Sequence, residues 1–358
     1  MHLPHPSEIQ SICILRLSAL GDVCNLVPAV RFIQQQYPHI HITWVIGQAE
    51  SNLLEGLEGV EFVVYAKKQG WQGLRSLRRQ LAGRHFDILL HMQAALRASA
   101  VSLAIPARVR LGFDRDRAKD GQWMFSNCRI EPHSRSHVLE GFLDFVNRLG
   151  IDTKGPLCWN IPIPQSARES ALKINGNHRP YMIVSPCSTQ RTRNYRNWPA
   201  EKYAEVIRYA FQKWGLYTIL TGGSSEVELE YAEMLQLLTP EPAIVNTIGK
   251  TDLKTLLALI DDAVTVIAPD SGPVHMATAL ETPAIGLYAS SNPQRTGPYR
   301  SQQWVVNRYP DAVERYLGKE VSQVGWGERV RHPNVMDMIS VAQVEERLNE
   351  LLKVHELK

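Results

Sequence analysis

Ala263-Val264-Thr265-Val266-Ile267-Ala268-Pro269-Asp270-Ser271-Gly272-Pro273-Val274-His275-Met276-Ala277-Thr278-Ala279-Leu280 decides how this chain is read. A β-branched run leads in and Ala284-Ile285-Gly286-Leu287-Tyr288 follows, so the stretch reads as strand, tight turn, helix, strand. Gly272 lets the backbone approach a ligand closely, and Pro273 suits a first helical turn, where its missing N–H is no loss. A helix that opens this way offers unpaired N–H groups and a positive dipole end to an anion, typically a phosphate. With Asp270 and His275 on either side, the pattern points to a nucleotide-diphosphate pocket rather than a generic turn.

The same alternation extends in both directions. Strands are expected at 12–17, 40–46, 62–65 and 87–92, with a helix at 23–36 and helical stretches between the others. Such alternation argues for parallel βαβ units in an open sheet covered by helices. Trp159-Asn160-Ile161-Pro162-Ile163-Pro164-Gln165 carries two prolines and reads as a linker. Beyond it the pattern restarts: strand 181–184, helix 199–214, strand 217–220, helix 226–238, a strand near Ile244 and a helix at 252–260. The expected organisation is an α/β chain with Rossmann-like domains at 1–164 and 165–340 and a closing amphipathic helix at 341–358.

A chain of 358 residues has room for two substantial cores. With 44% hydrophobic and 21% charged residues it has the composition of a soluble globular protein, and a net charge of +3 names no partner. Five scattered cysteines without metal-type spacing read as reduced thiols and a cytoplasmic setting. No apolar run approaches the roughly 18–20 residues of a membrane span. The opening Met1-His2-Leu3-Pro4-His5-Pro6 lacks the pattern of a signal peptide.

Chemistry-bearing residues gather in loops after strands, where open α/β sheets bind ligands. Asp22, in Arg16-Leu17-Ser18-Ala19-Leu20-Gly21-Asp22, is either a carboxylate at the cleft edge or simply a helix cap. Glu226, after the Gly222-Gly223 turn, either reaches a ribose or sits in a first helical turn. The segment Ser188-Thr189-Gln190-Arg191-Thr192-Arg193-Asn194-Tyr195-Arg196 brings three arginines to the loop after the second half's first strand. Their planar forks suit phosphate. Lys67, Lys68, Arg75, Arg78, Arg79 and Arg84 form a basic run with no intervening acid, and Arg75, Arg78 and Arg79 share a helix face. A solvated face is the ordinary reading of such a run. The missing acids point instead to an acidic sugar or a phosphorylated lipid surface. Nucleic acid is disfavoured, since no recognition module is visible.

Two motifs are set aside. Asp114-Arg115-Asp116 has the form of a metal-holding DxD, but it sits among Arg108, Arg110, Arg117 and Lys119 and lacks a strand context. His85, His91, His133 and His137 are too scattered for a zinc site.

Three segments together resemble the ADP-heptose:lipopolysaccharide heptosyltransferases of glycosyltransferase family 9, most closely the type that adds the first heptose to Kdo. They are Arg16 to Asp22 with Pro28-Ala29 after it, Arg196-Asn197-Trp198-Pro199, and Asp270-Ser271-Gly272-Pro273-Val274-His275 running to Thr296-Gly297-Pro298. The resemblance implies a GT-B fold, two Rossmann-like domains with parallel sheets facing a central cleft. It implies an acceptor-binding first domain and an ADP-sugar-binding second. Asp22 is then the general base. Ser188, Thr189, Arg196, Glu226, Asp270, Ser271, Gly272 and His275 are the donor residues, with Arg196 where the family commonly has lysine. On the acceptor side the resemblance and the basic run together name Ser18, Gly21, Arg75, Arg78, Arg79, Gln93, Arg97, Lys119 and His137.

The implied reaction is inverting, metal-independent and cofactor-free. L-glycero-D-manno-heptose passes from ADP-heptose, a substrate, to Kdo on lipid A at the cytoplasmic face of the inner membrane, where the protein is peripheral. Competing readings are heptosyltransferase II or another family 9 enzyme with a different acceptor, a nucleotide-sugar epimerase, and a non-catalytic lipopolysaccharide-binding protein.

Overall fold

Runs of β-branched residues without polar alternation need cover on both faces, and parallel sheets give it. The computed structural model of the chain describes residues 3–176, 179–188, 194–239 and 242–354. It falls into two units, Met1–Pro162 and Ile163–Lys358, and each carries one six-stranded parallel sheet among the described residues.

The first unit runs β1 (Ser11–Leu15), α1 (Leu20–Gln36), β2 (His41–Ile46), α2 (Gln48–Leu54), β3 (Val60–Val64), α3 (Gly70–Gln80), β4 (Phe86–His91), α4 (Leu96–Ser102), β5 (Ala107–Gly112), β6 (Cys128–Arg129) and α5 (Val138–Arg148). Its sheet order is β3-β2-β1-β4-β5-β6. Successive connections leave β1 and β4 in opposite directions, so a crevice opens beyond their carboxyl ends. On one sheet face α3 and α4 bury Leu77, Leu81, Ala98 and Val101 against Cys13, Leu15, Val45, Val63 and Leu89. Meanwhile α1 packs against α5.

Pro28 lies inside α1 and cannot donate to the Cys24 carbonyl one turn earlier. The Trp159 indole donates to that carbonyl instead, at 2.9 Å. This bond closes the ladder and pins the end of the first unit to its first helix. Buried His91, at the end of β4, is held equally firmly. Gln122 Nε2 donates to its Nδ1 (3.1 Å) and its carbonyl (2.7 Å), which leaves His91 Nε2–H to donate to Ser99 Oγ at 3.2 Å. Burial pulls the imidazole down to about 4.

The second unit repeats the plan. It runs α6 (Gln165–Asn175), β7 (Tyr181–Val184), α7 (Ala200–Trp214), β8 (Tyr217–Leu220), α8 (Glu226–Leu238), β9 (Ile244–Asn246), α9 (Leu253–Asp261), β10 (Thr265–Pro269), α10 (Gly272–Ala279), β11 (Ala284–Tyr288), α11 (Pro293–Thr296), β12 (Val306–Asn307), α12 (Tyr309–Leu317) and α13 (Val341–Val354). Its order, β12-β11-β10-β7-β8-β9, sets the same switch point between β10 and β7. Helix α13 packs on α7 within this unit. Trp198 is fully buried, stacks edge-on against Tyr203 and donates to the Ile339 carbonyl at 3.1 Å. It anchors the loop that carries Arg196.

One expectation is corrected. Asp114-Arg115-Asp116 does have a strand before it, since β5 ends at Gly112. Alternating Arg108 and Arg110 hid that strand. The Arg110 guanidinium turns back to the carbonyls of Ser102, Ile105 and Phe125 and so becomes a loop staple. Asp114 is buried, pairs with Arg117 and accepts the backbone N–H of Asp116 at 3.0 Å. Among the described residues, no helix is long and apolar enough to cross a membrane.

Candidate active site

In the first unit the crevice is built from the loops after β1 and β4. Asp22 occupies the third position of α1, where the helix dipole favours a carboxylate. Its Oδ2 accepts the Ala19 N–H at 3.0 Å and pairs with the Arg16 guanidinium. Arg16 is itself fixed: Nη1 donates to the Met92 carbonyl at 2.6 Å, and the guanidinium lies 5.2 Å above the Phe142 ring. Gln93 crosses the switch point, accepting the Leu17 N–H at 2.7 Å and donating to Ser18 Oγ at 3.3 Å. Both ends of its amide are used, so it positions the β1–α1 loop. The carboxylate is held in one orientation and stays partly open to solvent. This geometry caps the helix and leaves one edge of the carboxylate open.

The other expected acceptor residues divide. Gly21 is buried in the first turn of α1. Arg97 and Lys119 are exposed, at the start of α4 and in the loop after β5. His137 is buried, and its Nδ1 accepts the Leu139 N–H at 3.1 Å, capping α5. Its link to the crevice runs through α5, whose Phe142 supports Arg16. Arg75, Arg78 and Arg79 stand exposed on α3, with no ion pair among the described residues. The ends of the basic run are neutralised from elsewhere, Lys67 by Glu50 at 3.0 Å and Arg84 by Glu61.

In the second unit, the loop after β10 delivers the start of α10. Among the described residues no side chain caps that start, and no acid lies in its first turn, which suits its backbone N–H groups to an anion. Ser271 Oγ is buried and has no partner among the described residues. Asp270 is buried and faces two arginines. Arg196 Nη1 lies 3.5 Å from its Oδ2 and donates to its carbonyl at 2.7 Å, while Arg329 Nη2 lies 3.6 Å from the same Oδ2. The aspartate therefore holds both guanidinium groups beside the loop that opens α10. His275 is buried in α10.

Ser188 is buried, with Oγ donating to Asn194 (3.0 Å) and Asn197 (3.1 Å), so it orders the Arg196 loop. Thr189, Arg191 and Arg193 lie outside the described residues. Glu226 is exposed at the first position of α8. Its neighbour Glu228 organises the glycine turn, accepting the Gly223 N–H at 2.7 Å and the Ser225 hydroxyl at 2.5 Å. The Ser225-to-Glu228 spacing is a capping box that the sequence carries openly. Arg329 left no such signal. It reaches Asp270 from far along the chain, where it pairs with Ser291 in an antiparallel bridge.

Residues 74–320 match glycosyltransferase family 9 (heptosyltransferase), which gives the class of protein. The chain is 39% identical over 345 residues to the lipopolysaccharide core heptosyltransferase OpsX of Haemophilus influenzae, covering 96% of this chain and 97% of that one. Two solved structures share the fold. The family 9 glycosyl transferase of Veillonella parvula has TM-score 0.77 and 22% identity, with 98% of this chain and 99% of that one covered. Escherichia coli heptosyltransferase WaaC with ADP has TM-score 0.70 and 19% identity, over 96% and 98%. The chain belongs to glycosyltransferase family 9. It is an enzyme, which sets the non-catalytic binding reading aside.

Proposed function

We propose that this enzyme transfers L-glycero-D-manno-heptose from ADP-heptose to a Kdo residue of the lipid A-linked acceptor in lipopolysaccharide core assembly, with inversion and without a metal. The acceptor hydroxyl oxygen attacks the anomeric carbon of the heptose as its proton passes to the Asp22 carboxylate. The bond from that carbon to the β-phosphate oxygen breaks, and ADP leaves with the electron pair. Arg196, Arg329 and the N–H groups of α10 take up the charge that develops on the diphosphate, which is the service a divalent cation gives elsewhere.

The observation that carries this reading is two arginines gathered on Asp270 beside a helix whose first turn bears no acid. It suits a departing diphosphate. The lipopolysaccharide acceptor is supported by the 39% identity to a lipopolysaccharide core heptosyltransferase. The deciding assay offers ADP-heptose with Kdo-lipid A and, separately, heptosyl-Kdo-lipid A, each with and without EDTA. Transfer to Kdo-lipid A that survives the chelator is expected. Preference for the heptosylated acceptor reassigns the step to heptosyltransferase II, and loss with EDTA overturns the metal-free mechanism.

A further inference from the structure

Helix α4 is built inside out. Its inward positions are small, with Ala98, Ser99 and Ser102 buried beside Val101, while Leu96, Ala100 and Leu103 stand exposed at spacings of four and three. Those three positions form one outward apolar stripe. The neighbouring turn Gln122–Phe125 continues it: Gln122 is buried on His91, and Trp123 and Met124 point to solvent. The two pieces are tied together by the Leu96 N–H, which donates to Asp120 Oδ2 at 3.3 Å, and by the Ser99–His91–Gln122 chain.

On the same sheet face lies α3, where Trp71 is 82% exposed beside Arg75, Arg78 and Arg79. Arg97 and Lys119 flank the α4 stripe, again with no ion pair among the described residues. Exposed indoles and aliphatic side chains interleaved with unneutralised cations are the equipment of a bilayer interface with anionic lipid. The second unit's exposed apolar residues offer a contrast. On α8, Leu229, Met234 and Leu237 sit among Glu226, Glu230 and Glu233, a sign that anionic lipid repels.

We propose that the outer surface of α3, α4 and the Gln122–Phe125 turn docks the first unit on an anionic lipid bilayer. Trp71, Leu96, Leu103, Trp123 and Met124 enter the headgroup region, and the guanidinium groups meet lipid phosphates. The inference rests on the lipid-borne acceptor proposed above: a sugar anchored in a leaflet stays at its surface, so the unit carrying Asp22 has to come to it.

The test sediments the full chain with vesicles of phosphatidylethanolamine containing phosphatidylglycerol, and with phosphatidylcholine vesicles, in the absence of both sugar substrates. The expected result is salt-sensitive binding to the anionic vesicles. Combining Leu103→Ser, Trp123→Ser and Met124→Ser, all exposed and outside the site, lowers that binding by at least about tenfold. The triple variant keeps its rate on a deacylated, water-soluble acceptor and loses rate on a vesicle-borne one. Should the triple variant melt early, brominated lipid carries the same test: it quenches wild-type emission, while a variant with both Trp71→Phe and Trp123→Phe escapes that quenching. Equal sedimentation of variant and wild type, or no preference for anionic vesicles, overturns the proposal. So does a wild-type dimer that the variant dissolves without any vesicle binding, because a second copy then covers the surface. Sedimentation uses neither donor nor acceptor, so it stands or falls separately from heptosyl transfer.

Discussion

Replacing Asp22 by asparagine separates the two jobs of this side chain. Asparagine keeps an acceptor for the Ala19 N–H and drops the charge opposite Arg16. The pair is partly open to solvent, so its loss costs about 1 kcal/mol. In a unit of this size that lowers the melting temperature by about 2–4 °C. At 25 °C such a change leaves the protein folded and, if capping were the whole role, leaves turnover almost untouched. Proton transfer works on another scale. A positioned general base contributes about 10²–10⁴-fold, or about 3–5 kcal/mol of barrier. The assay is kcat from ADP release at saturating substrates, beside a thermal melt and a titration with ADP. In Asp22→Asn, kcat should fall by at least about 100-fold. The melt should move by only a few degrees, and ADP affinity should hold, since the proposed anion site belongs to the second unit. A kcat within about fivefold of wild type would refute the base and leave Asp22 as a cap.

Arg196→Ala should weaken ADP about 10- to 100-fold by calorimetry, as loss of a charge-assisted contact does, and the more exposed Arg329 should cost less. Unchanged affinity in both variants would remove the arginine clamp. The His91 imidazole ordinarily titrates near 6.5 and is pulled down to about 4 when folded. Below 6.5 the unfolded chain therefore binds a proton that the folded chain refuses, so stability falls as pH drops toward 4. The slope is at most about 1.4 kcal/mol per pH unit. Thermal melts between pH 7 and 5 should show this loss in the wild type and a flatter profile in His91→Gln; parallel profiles would contradict the assignment. Trp159→Phe strips the Cys24 carbonyl of its donor, and a buried acceptor left bare costs about 1–3 kcal/mol. An unshifted melt in that variant would mean that Pro28's missing bond is satisfied in some other way.

Much of the plan was legible because its signals are local. The run leading into Asp270, the Gly272-Pro273 helix start and the strand Ala284–Tyr288 all declare themselves within a few residues. Helix α13 was equally plain, since its apolar period faces the core. Helix α4 was not, because periodicity tells which residues share a face but not which face is inside, and here the larger residues point out. Strand β5 was masked by arginines whose partners are carbonyls in other loops. Site residues followed the same rule. Asp22 and Asp270 lie in short motifs, whereas Arg329 meets Asp270 only through a bridge made by folding. The basic run gave Arg75, Arg78 and Arg79 correctly as a shared face. Its ends are paired with Glu50 and Glu61, which come from other elements.

The repeated switch point has a consequence for how one architecture serves two chemistries. Each crevice is guarded by an arginine–aspartate contact, and exposure decides which partner the solvent meets. Beyond β1 the acid is the outward member, Asp22 at 30% against 13% for Arg16. Beyond β10 the acid is sealed at 8%, Arg196 is nearly as covered at 13%, and Arg329 is the outward member at 36%. In the reaction proposed above, turning the same pair around makes a proton acceptor at one crevice and an anion receptor at the other, with no change of topology and no new residue type. Duplicated sheets can thus divide a reaction into its electron-donating and electron-accepting halves simply by which end of an ion pair they leave uncovered.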